Sequence, residues 1–166
     1  MNHIVISLIS EDEKRDFSYS GVEKNFSALR SGSFLESSDE TEILKFIGAF
    51  NSDNENLIFT ILGHGGTDRL ASKEGGTVYY EKLLKAISST VTVFPVKVNL
   101  LANCNSVNAL HFLPEGNRIK EIWYTADNTN WINYAFLAVQ AMSFADFKSN
   151  IAENGAHYHD WINPNY

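Results

Sequence analysis

Cysteine is nearly absent from this chain: Cys104 is the only one among 166 residues. One thiol cannot close an intramolecular disulfide, so a stapled secreted scaffold is excluded, and Cys104 must be explained by reactivity or by burial. Positive charge is also scarce. Lys and Arg number 13 against 20 Asp and Glu, for a formal net charge of -7. Acidic clusters stand at Glu11-Asp12-Glu13 and Asp39-Glu40, and no basic stripe is available to neutralise phosphates, which argues against a nucleic-acid partner. Long apolar runs are missing too. Ile4-Val5-Ile6-Ser7-Leu8-Ile9 is too short to cross a bilayer and has no basic flank or cleavage site, so the expectation is a cytoplasmic protein with no membrane partner. Internal repeats, low-complexity tracts and linkers are absent, which fits a single domain over residues 1–166. What the chain does have is core material: 44% hydrophobic residues, with 11 Phe, 7 Tyr and 3 Trp, ample for one compact unit of this length.

The patterning alternates strands with helices. Residues 3–9, a β-branched run, and the runs 57–62, 96–102 and 119–124 read as strands of a parallel sheet covered on both faces. Between them, Val22, Phe26 and Leu29 recur at helical spacing. Asp39 with Glu42 forms a capping box ahead of Ile43, Ile47 and Phe50, and Leu83, Leu84, Ile87 and Val91 share one helical face. A short helix over 107–112 stops at Pro114. A further helix spans 132–142, and Ser143 with Asp146 caps the last one, to about residue 154. Residues 10–20 read as a loop, and the glycine-punctuated stretch 65–78 as a loop or small hairpin. His157-Tyr158-His159-Asp160 reads as a polar tail with too few ligands for a metal site. The fold class expected is α/β: a three-layer, doubly wound sandwich around a mainly parallel sheet.

Two of the strands end in chemistry. Leu57 to Leu62 leads into Gly63-His64-Gly65-Gly66, and Val96 to Ala102 leads into Asn103-Cys104-Asn105-Ser106. In an open α/β sheet the carboxyl ends of neighbouring parallel strands share one crevice, where ligands bind. A cysteine nucleophile needs a base or a positive field to raise its thiolate fraction. His64 could take the proton and later return it to a leaving amine, and a helix beginning after Cys104 would favour the thiolate. Gly65 N–H and Cys104 N–H are the natural donors to a developing oxyanion. A cysteine ending an apolar strand is also an ordinary small core residue. The glycine-flanked histidine at the neighbouring strand end is what favours the catalytic reading.

These blocks resemble the caspase-like superfamily of cysteine peptidases, in which one apolar strand ends in His-Gly and the next core strand ends in the nucleophilic Cys. The match is closest to bacterial CHAT domains. The resemblance implies a caspase-like fold with His64 as general base, Cys104 as nucleophile and Gly65 as oxyanion donor. Residues 125–131 resemble the family's substrate-binding loop, which, together with Asn103 beside the nucleophile, implies substrate contacts from Asn103, Thr125, Ala126, Asp127 and Trp131. Arg30-Ser31-Gly32-Ser33 resembles the turn from which caspases offer an arginine to a substrate carboxylate. A solvated turn residue is the other reading of Arg30. Ala102 stands where a caspase has Gln, and Ile132 where it has the second arginine, so at most a weak acidic preference is expected.

The activity expected is that of an endopeptidase on polypeptide substrates, working through an acyl-thioester without metal or organic cofactor. The chain is short for a caspase relative, which implies regulation by a separate activating protein or by dimerisation. A catalytically silent binding or signalling module on the same scaffold is the alternative from another class. An amidase or acyltransferase using the same pair on a small substrate is a third.

Overall fold

The structure, a computed structural model, describes residues 2–16, 33–52, 57–92, 95–128, 137, 140–151 and 157–166. Its frame is a six-stranded sheet. β1 (Asn2–Ser7), β2 (Ser33–Glu36), β4 (Leu57–Leu62), β9 (Val96–Asn99), β10 (Ile119–Thr125) and β11 (Tyr158–Ile162) stand in the order β11-β10-β9-β4-β1-β2. All neighbouring pairs are parallel except β10 with β11. A two-residue parallel pair joins β3 (Asn51–Ser52) to β8 (Val91–Thr92). A small antiparallel sheet joins β5 (His64–Gly65), β6 (Arg69–Ala71) and β7 (Thr77–Tyr79).

Alternation along the strands sends side chains to two cores. Ile4, Ile6, Phe59, Ile61 and Val98 point to one face, where α2 (Glu40–Gly48), α3 (Tyr80–Ser88) and a 3₁₀ helix (Ser106–Phe112) supply Ile43, Ile47, Leu83, Leu84, Ile87 and Ala109. Val5, Ile58, Leu62 and Trp123 point to the other, where α4 (Phe144–Asn150) supplies Phe147. The protein is thus α/β, with a mainly parallel sheet flanked by helices. Each such Leu, Ile or Phe taken fully out of water contributes about 1.5–3 kcal/mol, so the strands are anchored from both sides and their carboxyl ends are held in register.

Several local expectations change. Residues 10–20 are not all loop: Ser10 caps the short helix α1 (Glu11–Asp16), whose first turn is acidic and whose last turn carries Lys14 and Arg15, the arrangement that suits a helix dipole. Asp39 does cap α2, accepting from Glu42 N–H at 2.8 Å. The Glu42 carboxylate, however, takes the Ser37 hydroxyl at 2.6 Å. Ser33, expected in a turn, opens edge strand β2. Val91 lies in β8 rather than in the preceding helix, and β9 stops at Asn99 with a buried turn after it. The segment read as a polar tail mostly forms β11, where Tyr158 is buried against Phe147 with ring centroids 5.0 Å apart. Among the described residues, no helix is long and apolar enough to cross a membrane. The expected helix at residues 22–29 and most of that at 132–142 lie outside the described residues.

Candidate active site

His64 and Cys104 follow adjacent parallel strands, β4 and β9, which pair from Leu57 with Val96 to Thr60 with Asn99. A buried clamp fixes the two strand ends. Asn103 Nδ2 donates to Ile61 O at 2.6 Å on the histidine side and to Leu100 O at 3.3 Å on the cysteine side. Thr125 Oγ1 donates to Asn103 O at 2.6 Å, and Ser106 Oγ donates to Leu100 O at 3.0 Å. Asn105 then takes a left-handed backbone, φ 51°, which asparagine tolerates better than most residues. This sharp bend holds Cys104 at the head of the turn, half-buried. The helix that follows is a seven-residue 3₁₀ helix starting two residues on, too short and too poorly aligned to charge-stabilise a thiolate strongly.

Backbone packing joins the two halves of the site. A Cβ at Gly65 would lie 1.7 Å from Cys104 O and 2.8 Å from its carbonyl carbon, so no other residue fits while the strand ends keep this distance. His64 enters through the same close approach, with 34% of its side chain exposed. The crevice therefore offers a solvent-reachable imidazole and a half-buried sulfur on backbones in direct contact.

The sequence reading missed a third side chain. Glu13, only 2% exposed, contacts His64 Nε2 through Oε1. Its other oxygen, Oε2, accepts from the backbone N–H and the hydroxyl of Ser10, both at 3.0 Å. Glu13 N–H donates back to Ser10 Oγ at 3.3 Å, completing a capping box. Burial pushes the Glu13 carboxyl upward, but the Ser10 backbone N–H, His64 and the Ser10 hydroxyl outweigh it and hold the group below its ordinary value. The Ser10-x-x-Glu13 spacing was the available sequence signal, the same one that located α2.

Tyr80, the first residue of α3, lies fully buried with Gly66, Asp68 and Cys104 as its electrostatic neighbours. Burial, more than any other cause, raises its phenol well above the ordinary range. The nearby Gly66 N–H offsets this a little, but its hydrogen goes to Arg69 O at 2.9 Å. The Tyr80 hydroxyl has no hydrogen-bond partner among the described residues.

The remaining expected site residues divide. Asn103 and Thr125 are fully buried; Asn103 Nδ2 and Thr125 Oγ1 hydrogen-bond within the clamp, whereas Asn103 Oδ1 has no hydrogen-bond partner among the described residues, so both side chains position the turn. Ala126 and Asp127 are exposed on the loop after β10. Asp127 O accepts from Asn105 N–H at 3.0 Å, which fastens that loop beside the cysteine turn. Arg30 and Trp131 lie outside the described residues. Among the described residues no group of three or more His, Cys, Asp or Glu side chains is arranged to hold a metal ion. No protein-family model matches the chain, and no protein of curated function matches its sequence.

Proposed function

We propose that the chain is a cysteine endopeptidase of caspase-like type, with Cys104 as nucleophile and His64 as general base and acid. The observation that carries this reading is the meeting of the two residues at the carboxyl ends of adjacent parallel strands, through the Gly65–Cys104 backbone contact. In the proposed reaction His64 takes the thiol proton, and Sγ attacks the scissile carbonyl carbon. The S–C bond forms while the carbonyl electrons move to oxygen, which backbone N–H groups near Gly65 and Cys104 stabilise. Collapse breaks the C–N bond, and His64 returns the proton to the leaving amine. Water, deprotonated by the same imidazole, then hydrolyses the acyl-thioester and releases the thiol.

The caspase resemblance assigns substrate contacts to the exposed Ala126 and Asp127, to Trp131, and to Arg30. Through Arg30 it implies a weak preference for an acidic side chain before the cleaved bond. Activation by a partner protein belongs to the same reading.

The test is direct. Cys104→Ala and His64→Ala should each abolish cleavage of a peptide library while circular dichroism stays unchanged, since neither side chain carries the core. Iodoacetamide should modify native Cys104, and more slowly in His64→Ala, because a base partner raises thiolate reactivity. Modification only in denaturant would assign Cys104 to the core and leave a silent binding module on this scaffold.

A further inference from the structure

We propose that Glu13 is a positioning residue of this site, holding the His64 imidazole through Nε2 so that Nδ1 becomes the nitrogen that accepts the Cys104 proton. The inference rests on the reading of His64 as base and Cys104 as nucleophile, and adds to it a carboxylate from a different strand end.

The geometry is specific. A carboxylate with 2% exposure is costly to bury unless it is paired and hydrogen-bonded. Glu13 is both: Oε2 is filled by the two Ser10 donors, and Oε1 is left for His64 Nε2. Among the described residues the other charged group paired with it is Lys73 Nζ, 4.0 Å from Oε1 on a side chain 62% exposed. The Tyr80 phenol on α3 has Cys104 among its electrostatic neighbours. A neutral imidazole carries one N–H and one lone pair. With the N–H at Nε2 donating to Glu13, the lone pair stands at Nδ1. When the thiol proton arrives there, the imidazolium finds an anionic partner already ionised and already in place. Glu13 stays ionised throughout, and the proton passes from Sγ to Nδ1 and on to the leaving amine without reaching the carboxylate. The capping box supplies the rigidity: the Ser10 contacts that start α1 also fix the rotamer of the side chain that orients the histidine.

Glu13→Gln separates the two duties, because glutamine serves a capping box as glutamate does but carries no charge. With the intact chain, the expected result is a denaturation midpoint equal to the wild type's at acid pH and lower near neutral pH only by the lost charge, a rate of Cys104 alkylation by iodoacetamide about tenfold lower near neutral pH, the scale of one hydrogen bond to a charged group, and an alkylation profile displaced to higher pH. Ser10→Ala, which weakens the same cap but keeps the carboxylate, should lower the midpoint and move the profile less. Nitrogen-15 spectra of His64 should report the Nε2–H tautomer in the wild type and a mixture in Glu13→Ala. If Glu13→Gln alkylates like the wild type while His64→Ala is slow, Glu13 is only a helix cap and the inference is wrong, with the base reading intact. Equal alkylation of His64→Ala and wild type would overturn both.

Discussion

Glu13 on α1 and Asp160 on β11 are acidic side chains drawn into the protein, and their surroundings drive them in opposite directions. Glu13 meets donors: the Ser10 N–H, the Ser10 hydroxyl and His64. Asp160 meets another acid. On β11 it lies diagonally across from Glu121 of β10, whose own oxygens take Trp123 Nε1–H and Lys97 Nζ, the latter at 2.7 Å. Asp160 Oδ1 is buried without a hydrogen bond among the described residues. Burial, then the Glu121 charge and a hydrogen bond shared with Glu121, push its carboxyl up to about 6, with Lys97 only partly opposing. Burial raises both groups, and the supply of donors sets the net direction. Donor-rich burial gives a fixed charge that can orient a histidine. Donor-poor burial gives a shared proton.

The most severe way to break the donor-rich side is through the backbone that brings it to Cys104. Gly65→Ala places a methyl group 1.7 Å from Cys104 O, so the strand ends must separate. We expect a loss of about 1–3 kcal/mol in urea denaturation, the usual cost of overpacking. Cys104 reactivity should fall about a hundredfold, since displacements of an ångström have that effect on positioned groups. Gly48→Ala is the control, because nothing lies within 4 Å of its added Cβ. Equal behaviour of the two variants would remove the close approach from the account of the site.

Next in size is the removal of each carboxylate. Glu13→Ala strips Ser10 of its acceptor and leaves buried donors unpaired, at about 1–3 kcal/mol. Asp160→Asn should have the opposite sign at pH 8, where it relieves a carboxylate facing Glu121, and urea midpoints of the two variants measure this directly. Destabilisation by Asp160→Asn at that pH would show that the charge is better compensated than Lys97 alone implies.

How far the sequence reveals this contrast depends on what holds each segment. β1, β4, β9 and β10 are legible because strands covered on both faces are predominantly apolar, with few polar positions such as Lys97 and Lys120. The proposed pairing of His64 with Cys104 follows from where two of those runs end. β2 and β11 are edge strands, paired along one side, and Ser33-Phe34-Leu35-Glu36 and Tyr158-His159-Asp160-Trp161-Ile162 need no apolar run. α1 is set by a cap and a graded charge, so periodicity does not expose it. Asn103 and Thr125 mislead for another reason. A polar residue beside a nucleophile has the same letter whether it meets a substrate or closes a buried hydrogen-bond clamp, and only the packing of Ile61, Leu100 and Ser106 around it decides.

The two carboxylates also predict opposite slopes of stability with pH. Glu13 has a folded-state value below its unfolded one, so its contribution is present above the ordinary carboxylate range near 4.3 and is lost as pH falls through the depressed value. Asp160 has a folded-state value raised to about 6, so its contribution is full below about 3.9 and fades as pH rises through 6. Urea denaturation between pH 3 and 8 should therefore show an acid limb that Glu13→Gln flattens and a decline around pH 6 that Asp160→Asn removes. Loss of the decline in Glu13→Gln would reassign it.

The smallest expected effect sharpens the comparison with a group that carries no charge. Tyr80 resembles Asp160 in having a buried oxygen without a hydrogen-bond partner among the described residues, and resembles Glu13 in having a candidate site residue, Cys104, among its electrostatic neighbours. If donor and acceptor supply decides what burial costs, an unpaired neutral hydroxyl is a mild version of the Asp160 problem. Its removal should then help: an unsatisfied buried polar group carries a desolvation cost that an apolar atom of similar shape does not. Phe fits the same ring slot, 6.1 Å from the Phe112 centroid, so Tyr80→Phe leaves packing intact. The expected gain is up to about 1 kcal/mol, read as a higher urea midpoint with an unchanged slope. A lower midpoint would mean that the hydroxyl is satisfied by bound water, which would make the contrast between donor-rich and donor-poor burial less sharp.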